Sequence, residues 1–385
     1  MPNVLILGGR APVALDHARR FAHQGWTVTI GDSIPCRMSG WSRSVTSTVA
    51  LPSARFAPRN YIEALCSVIR THRIDLVVPT CEEVFFLSRY RSELPASVRI
   101  VVGQFDTMDV LHSKWQFLKA AQGCGAVVPE SECVVTLEQA RAWAGVDPVV
   151  LKPEYSRFGV HVRLYPAGIP HDAKPFEVPG RWVVQRFCHG LELCSYSVVD
   201  RGRVLAHVCY RPSYRLKASS SFLFEIHESS RIRVFVEKFA RKMDYSGQLS
   251  FDWMASDSGD VQVLECNPRA ISGVHLFGPD DALPAALAGT VDTCVTPSTT
   301  EPRMIAAVML CAGGAQASRT HHLGRWWLDF RRARDVIVAP GDALPFVGGL
   351  LDIASYARLA LRDRCSLRQA ATCDIEWDGE RLEAL

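Results

Sequence analysis

Lysine is scarce in this chain of 385 residues, with seven lysines against thirty-six arginines. Genomic base composition explains most such biases, yet the scarcity makes each lysine's position informative. The thirteen cysteines stand singly and no C-x-x-C pair occurs. That spacing argues against a zinc site and a disulfide framework, and fits reduced thiols in a cytosol. Long apolar runs are missing too. The first one, in MPNVLILGGRAP, has no basic residues ahead of it and runs directly into Gly8 and Gly9, so it reads as a buried strand rather than a signal peptide. The longest later run, Met304 to Ala315, falls far short of the roughly 20 residues of a membrane span, and no crossing of a bilayer is expected. No block of like charge is present. A net charge of +3 and a pI near 8.2 imply neither nucleic acid nor an anionic membrane surface, which leaves acidic small molecules as partners.

What is present is a globular composition, 48% hydrophobic and 22% charged. At about 150 residues per domain, the length suggests two or three domains. The first hundred residues alternate strands (NVLILGG, WTVTIGDS, DLVVPT, VRIVVG) with amphipathic helical patterns, a βαβ rhythm that implies a parallel sheet covered by helices. Gly8 and Gly9 sit at the first strand-to-helix turn, but LGGRAP lacks the G-x-G-x-x-G spacing and only Asp32 stands where a ribose contact would come from. A tight-turn glycine pair is therefore preferred over a dinucleotide site. From Val149 to Val199 the strands are longer and antiparallel in character, with a surface loop at Pro166 to Gly180. QLSFDWMASDSGDVQVLECN forms the clearest hairpin. Beyond Ala288 the pattern turns helical, ending in the short β-like TCDIEWDGERLEAL.

The hairpin ends in VLECNPRA, a carboxylate, an amide and a guanidinium within five residues of an apolar strand. Strict alternation puts Val261, Val263, Glu265 and Asn267 on one face and Leu264 and Cys266 on the other. A turn at Ser258 and Gly259 brings Asp252 opposite Glu265. Two carboxylates that close raise each other's proton affinity unless a cation neutralises them, and a small set of oxygen ligands suits Mg²⁺ completed by nucleotide phosphates. A solvated hairpin edge with ordinary surface acids is the simpler alternative, and a lone arginine such as Arg269 is more often a surface charge.

Several separate elements in order resemble the ATP-grasp superfamily. Asp252 followed by Glu265 and Asn267 is similar to its metal-binding strands, and the run continues as Asn-Pro-Arg through Arg269. Lys114 in HSKWQF and Lys152 in VVLKPEYSRFG resemble the two lysines that hold ATP. Gln185, Arg186 and Phe187 stand at the hinge that contacts adenine, and Glu192 at the acid that holds the ribose. Gly159 would lend freedom to the loop over the phosphates, although this loop has one glycine rather than several and carries Tyr155, Arg157 and Phe158. Gln185 also replaces a more usual acid.

The resemblance implies an α/β and α+β multidomain fold: a Rossmann-like N-terminal domain over 1–105, an ATP-grasp domain over 106–287 with a lid at about 125–187, and an α-rich extension over 288–385. It implies ATP and Mg²⁺ (or Mn²⁺) as cofactors, with metal on Asp252, Glu265 and Asn267. It also implies a cytoplasmic ligase that activates a small-molecule carboxylate as an acyl phosphate and couples it to an amine. Arg269 would face the transferred phosphoryl group or the carboxylate being activated, and Lys217, from YRPSYRLKASSSF, would touch the γ-phosphate, a solvated basic loop being the equal alternative. Small-molecule acid and amine substrates are the expected partners, with neither nucleic acid nor membrane; a homodimer is compatible. The alternatives are a non-catalytic ATP-binding regulator of the same fold, and, less well supported, a dinucleotide-dependent oxidoreductase. Ser220, Glu225 and His227 read as exposed strand positions rather than pocket residues, and Cys188, Cys194 and Cys266 as small buried fillers.

Overall fold

The computed structural model describes the whole chain apart from residues 158, 160, 216–220, 257 and 384. Five short apolar strands open it: β1 (Asn3–Leu7), β2 (Thr27–Asp32), β3 (Ser47–Ala50), β4 (Leu76–Val78) and β5 (Arg99–Ile100). They pair in parallel in the order β3-β2-β1-β4-β5. The helix Pro12–His23 begins with proline, whose missing N–H costs nothing at that position, and buries Val13, Ala14, Ala18 and Phe21. Strand order reverses between β1 and β4, and beyond the carboxyl ends of strands at such a point sheets of this kind usually receive ligands. Gly8 and the segment Thr80–Glu83 lie there. Gly8 has φ +74°, and a Cβ on it would sit 2.5 Å from Thr80 Oγ1.

A second sheet, in the order β6-β9-β7-β8, contains β6 (Ser131–Val134), β7 (Val149–Pro153), β8 (Arg163–Tyr165) and β9 (Trp182–Arg186). Its small core of Val134, Val149, Leu151, Trp182 and Val184 is closed by Phe176, which stacks on Trp182 at 4.4 Å.

The largest sheet has seven strands in the order β14-β13-β10-β11-β12-β15-β16. They are β10 (Leu191–Asp200), β11 (Arg203–Arg215), β12 (Ser221–Ile226), β13 (Gly247–Ala255), β14 (Val261–Asn267), β15 (Arg303–Met304) and β16 (Arg334–Asp335). Phe251 and Trp253 pack against Ile232, Val236 and Phe239 of the helix Ser230–Lys242. Tyr196, Val208 and Phe224 join Val13, Phe21, Val274 and Phe277 in a cluster that ties this sheet to the N-terminal one. The mixture of a parallel sheet, antiparallel sheets and helices is the α/β and α+β architecture expected.

The chain after 287 does not stand apart. β15 pairs with β12, and the last dozen residues return to the N-terminal sheet. The helix Leu344–Asp363 rests on Met38–Trp41 and leaves Leu350, Ile353 and Leu361 exposed. By length and composition it is long and apolar enough to cross a membrane, contrary to the expectation from continuous apolar runs. Its interruption at Asp352 is buried, accepting the Met38 N–H at 2.7 Å.

Candidate functional site

The hairpin β13–β14 turns through Ser258 and Gly259 and sets Asp252 directly opposite Glu265, with Ser250 opposite Asn267. Strict alternation fails at one point. A β-bulge between Asp252 and Trp253 leaves Leu264 unpaired, so Val263 faces Trp253 in the apolar core while Glu265 and Asn267 lie on the other face with Asp252. Val263 and Glu265 therefore do not share a side. An extra residue in one strand reverses the side-chain phase beyond it, and bulges commonly re-aim side chains beside active sites.

The two carboxylates titrate as a pair. Burial and then the neighbouring Glu265 carboxylate push Asp252 up to about 7. Glu265 is held low: burial opposes its charge, but Lys114, Lys152, the Asp252 hydrogen bond and Arg269 outweigh it. The lysines respond in kind. Burial brings Lys114 down to about 8 and also lowers Lys152, with Glu265 opposing both shifts. Lys114 opens the helix Lys114–Gly123, capped by Ser113, and its Nζ donates to the Ser156 carbonyl at 2.6 Å. Lys152, on β7, donates to Gln185 Oε1 at 3.2 Å, while Gln185 Nε2 donates to Ser131 at 3.0 Å. The amide thus orients Lys152 without adding charge.

The remaining positions are less concentrated. The backbone N–H groups of Arg186 and Phe187 already donate to Glu130 and Pro148 carbonyls, and the Arg186 guanidinium turns to Asp147 and stacks over Trp143 at 4.3 Å. Glu192 is half-exposed and paired with Arg215. Gly159 is exposed with φ +60°. Lys217, Phe158 and Ser220 lie outside the described residues. Glu225 is ion-paired with Arg332 at 2.5 Å. The Cys194 thiol donates to Asp252 at 3.1 Å, and burial raises it and Cys266 well above ordinary thiol values, which suits fillers rather than nucleophiles.

Arg269 curls back on Asn267, with its N–H on the Asn267 carbonyl at 2.8 Å, and its Nε lies 3.7 Å from Glu82. Glu82 follows β4 and is buried, and its other oxygen is 2.7 Å from Arg157 Nε, in an alignment too poor for a hydrogen bond. Arg157 in turn meets Glu376 at 2.7 Å and Asp378 at 2.5 Å. Sequence reasoning missed this group. The available signal was the alternation of acids with Ile375 and Trp377 in DIEWDGE, both of which are buried. At the point where the N-terminal sheet reverses its strand order, Arg10 holds Asp32 at 2.5 Å and Asp374 at 2.7 Å, so the acid nearest the glycine turn is already engaged.

No protein-family model matches the chain, and no curated protein matches it by sequence. Solved structures do match. N5-carboxyaminoimidazole synthetase from Staphylococcus aureus aligns with TM-score 0.61 at 12% identity, covering 78% of this chain and 80% of that one. Phosphoribosylamine–glycine ligase from Thermotoga maritima aligns with TM-score 0.58 at 18% identity, covering 77% and 78%. The biotin carboxylase domain dimer of Hydrogenobacter thermophilus 2-oxoglutarate carboxylase, in complex with MgADP and bicarbonate, aligns with TM-score 0.58 at 12% identity, covering 76% and 70%. The fold of this chain is the ATP-grasp fold.

The donor set bears on a metal. Among the described residues no group of three or more histidine, cysteine, aspartate or glutamate side chains is placed to hold an ion. Two opposed carboxylates and one amide oxygen fit a hard cation that keeps waters and takes its other ligands from phosphates. The upward push on Asp252 is the strain such a cation would relieve.

Proposed function

We propose that this chain is an ATP- and magnesium-dependent ligase that activates a small-molecule carboxylate as an acyl phosphate and joins it to an amine. The observation that carries this reading is the opposed Asp252–Glu265 pair, with Lys114 and Lys152 both acting on Glu265. Asp252, Glu265 and Asn267 would hold Mg²⁺ (or Mn²⁺), which would supply neutralising charge to the nucleotide phosphates. Lys114 and Lys152 are point-charge donors suited to phosphate oxygens. Glu192 would take the ribose and the 185–187 segment the adenine. Arg269 would stabilise charge on the group being transferred, positioned beforehand rather than recruited during the reaction, with Lys217 assisting.

The S. aureus and T. maritima neighbours are by name a synthetase and a ligase, and the H. thermophilus domain was solved with MgADP; these names support the reading by analogy of fold. The same reading includes the unit boundaries at 105 and 287, a cytoplasmic location and small-molecule partners, with a homodimer compatible. The oxidoreductase alternative loses support because Asp32 is bound by Arg10. A regulator without turnover would have no need of an opposed carboxylate pair with two buried lysines acting on Glu265.

The test is release of ADP and phosphate from Mg-ATP with a mixed amino acid panel, with products identified by mass. Release that requires an added acid supports ligation. Tight ATP binding with no release under any acid favours the regulator.

A further inference from the structure

The last residues of the chain form an acidic strap across the N-terminal sheet and the loop after β7. Its apolar side chains are buried: Trp377 sits among Phe85 at 5.1 Å, Phe105 at 5.2 Å and Tyr155 at 5.6 Å. Its carboxylates point at arginines. Asp374 takes Arg10, while Glu376 and Asp378 take Arg157 and, more loosely, Arg55. Gly379 crosses Tyr155 so closely that a Cβ would lie 2.6 Å from the ring, and its φ of +81° favours glycine.

The loop so clamped is the one that follows Lys152. Arg157 is ion-paired with Glu82, Glu376 and Asp378 and donates to the Trp377 carbonyl at 3.1 Å. One residue earlier, the Ser156 carbonyl receives Lys114. Glu82, beyond Arg157, faces Arg269. A chain of contacts therefore runs from the strap through Arg157 to a proposed phosphate lysine on one side and to the proposed transfer-site arginine on the other.

We propose that Arg157 is a positioning residue of the nucleotide site, fixed by the carboxylates of Glu376 and Asp378, and that the C-terminal strap is thereby a working part of that site. The proposal rests on the ligase reading for the identity of the nucleotide. Its physical basis is that a planar guanidinium gripped by two carboxylates loses its freedom, and so does the loop that carries it.

The test is calorimetric binding of the magnesium complex of a non-hydrolysable ATP analogue, the imidodiphosphate, to the full-length protein. Glu376→Gln combined with Asp378→Asn weakens binding roughly ten-fold, as loss of a supporting shell typically does. Arg157→Gln has a similar effect, and the triple variant is no weaker than Arg157→Gln alone, because the strap acts through that side chain. Arg55→Gln removes a neighbouring partner of the same carboxylates and keeps wild-type affinity. Coulomb's law alone predicts the opposite sign, since removing two negative charges beside a polyanion site tightens binding. Unchanged or tighter binding in the strap variant overturns the proposal, as does an Arg55→Gln loss equal to that of Arg157→Gln. Melting curves check folding. If the paired strap variant is unfolded at the assay temperature, Arg157→Lys, which keeps the charge without the fork, replaces it and is expected to weaken binding; wild-type affinity there overturns the proposal. Failure of the wild type itself to bind the analogue contradicts the ligase reading, whereas equal binding by wild type and variants contradicts only this one.

Discussion

Glu265 and Asp252 differ in sequence context by very little, yet they are driven to opposite protonation behaviour. Glu265 has two ammonium groups acting on it and stays ionised; Asp252 is pushed up to about 7 by burial and then by Glu265, with the Cys194 hydrogen bond opposing. Both features suit a site that waits for a cation. Two histidines far from it carry a different consequence. Burial, followed by Arg20, brings His17 down from 6.5 to about 3, and burial with Arg233 brings His207 to about 4. Each is neutral in the fold but would be protonated in the unfolded chain below pH 6.5. Stability is therefore fully present above that pH and is lost progressively as pH falls towards the folded values. The expected loss is about 2 kcal/mol per histidine between pH 6.5 and 5. Urea unfolding at the two pH values checks this, and His17→Gln should flatten the dependence; an unchanged pH slope in that variant would contradict the assignment.

Among the elements, the hairpin β13–β14 was the most legible, because carboxylates at the end of an apolar strand conflict with burial unless they serve a purpose. Counting outward from Ser258 and Gly259 puts Asp252 opposite Glu265, but the pairs nearest the turn, Ala255 with Val261 and Trp253 with Val263, run one residue off that count and would bring Leu264 there; the bulge brings Glu265 across. The bulge itself was not legible, since alternation carries no mark of one unpaired residue, and Leu264 looks like any other strand leucine. The loop after β7 was legible as a departure from the family pattern, through Tyr155 and Arg157, but not as a clamped segment. The turn after Arg269 gives an element-scale prediction. Gly273 lies where a Cβ would be 2.5 Å from the Tyr196 Cβ and 3.1 Å from the Tyr210 ring. Both neighbours are buried, so Gly273→Ala overpacks the seam between the Ser272–Leu276 turn and the large sheet. We expect a loss of about 1–3 kcal/mol, read as a lowered urea midpoint. A midpoint equal to wild type would show that the seam is looser than described.

For the whole molecule, the parallel N-terminal sheet and the antiparallel sheets could be read from strand rhythm, because periodicity is local. The return of the C-terminus to the beginning could not. Arg10 and Asp374 are 364 residues apart, and nothing in either stretch names the other. Trp377 is the anchor of that closure. Replacing it with alanine leaves a cavity between Phe85, Phe105, His112 and Tyr155, and a cost of about 3–5 kcal/mol is expected. Thermal melting reads the loss; a melting temperature unaffected by Trp377→Ala would mean the strap is not part of the cooperative fold. The exposed apolar helix Leu344–Asp363 belongs to this scale too, since its first apolar run, Leu344–Leu351, is cut short by Asp352 and only the helix as a whole reaches spanning length.

If Glu265 and its neighbours bind a magnesium-bound nucleotide, removing that one carboxylate removes the magnesium dependence of binding. Calorimetric titration of ATP into wild type and Glu265→Gln, each with magnesium and with a chelator, tests it directly. Magnesium should tighten ATP binding to the wild type and leave the variant unaffected, with Glu265→Gln still melting as a folded protein and showing no turnover. Equal magnesium dependence in the two proteins, or turnover by the variant, would contradict it.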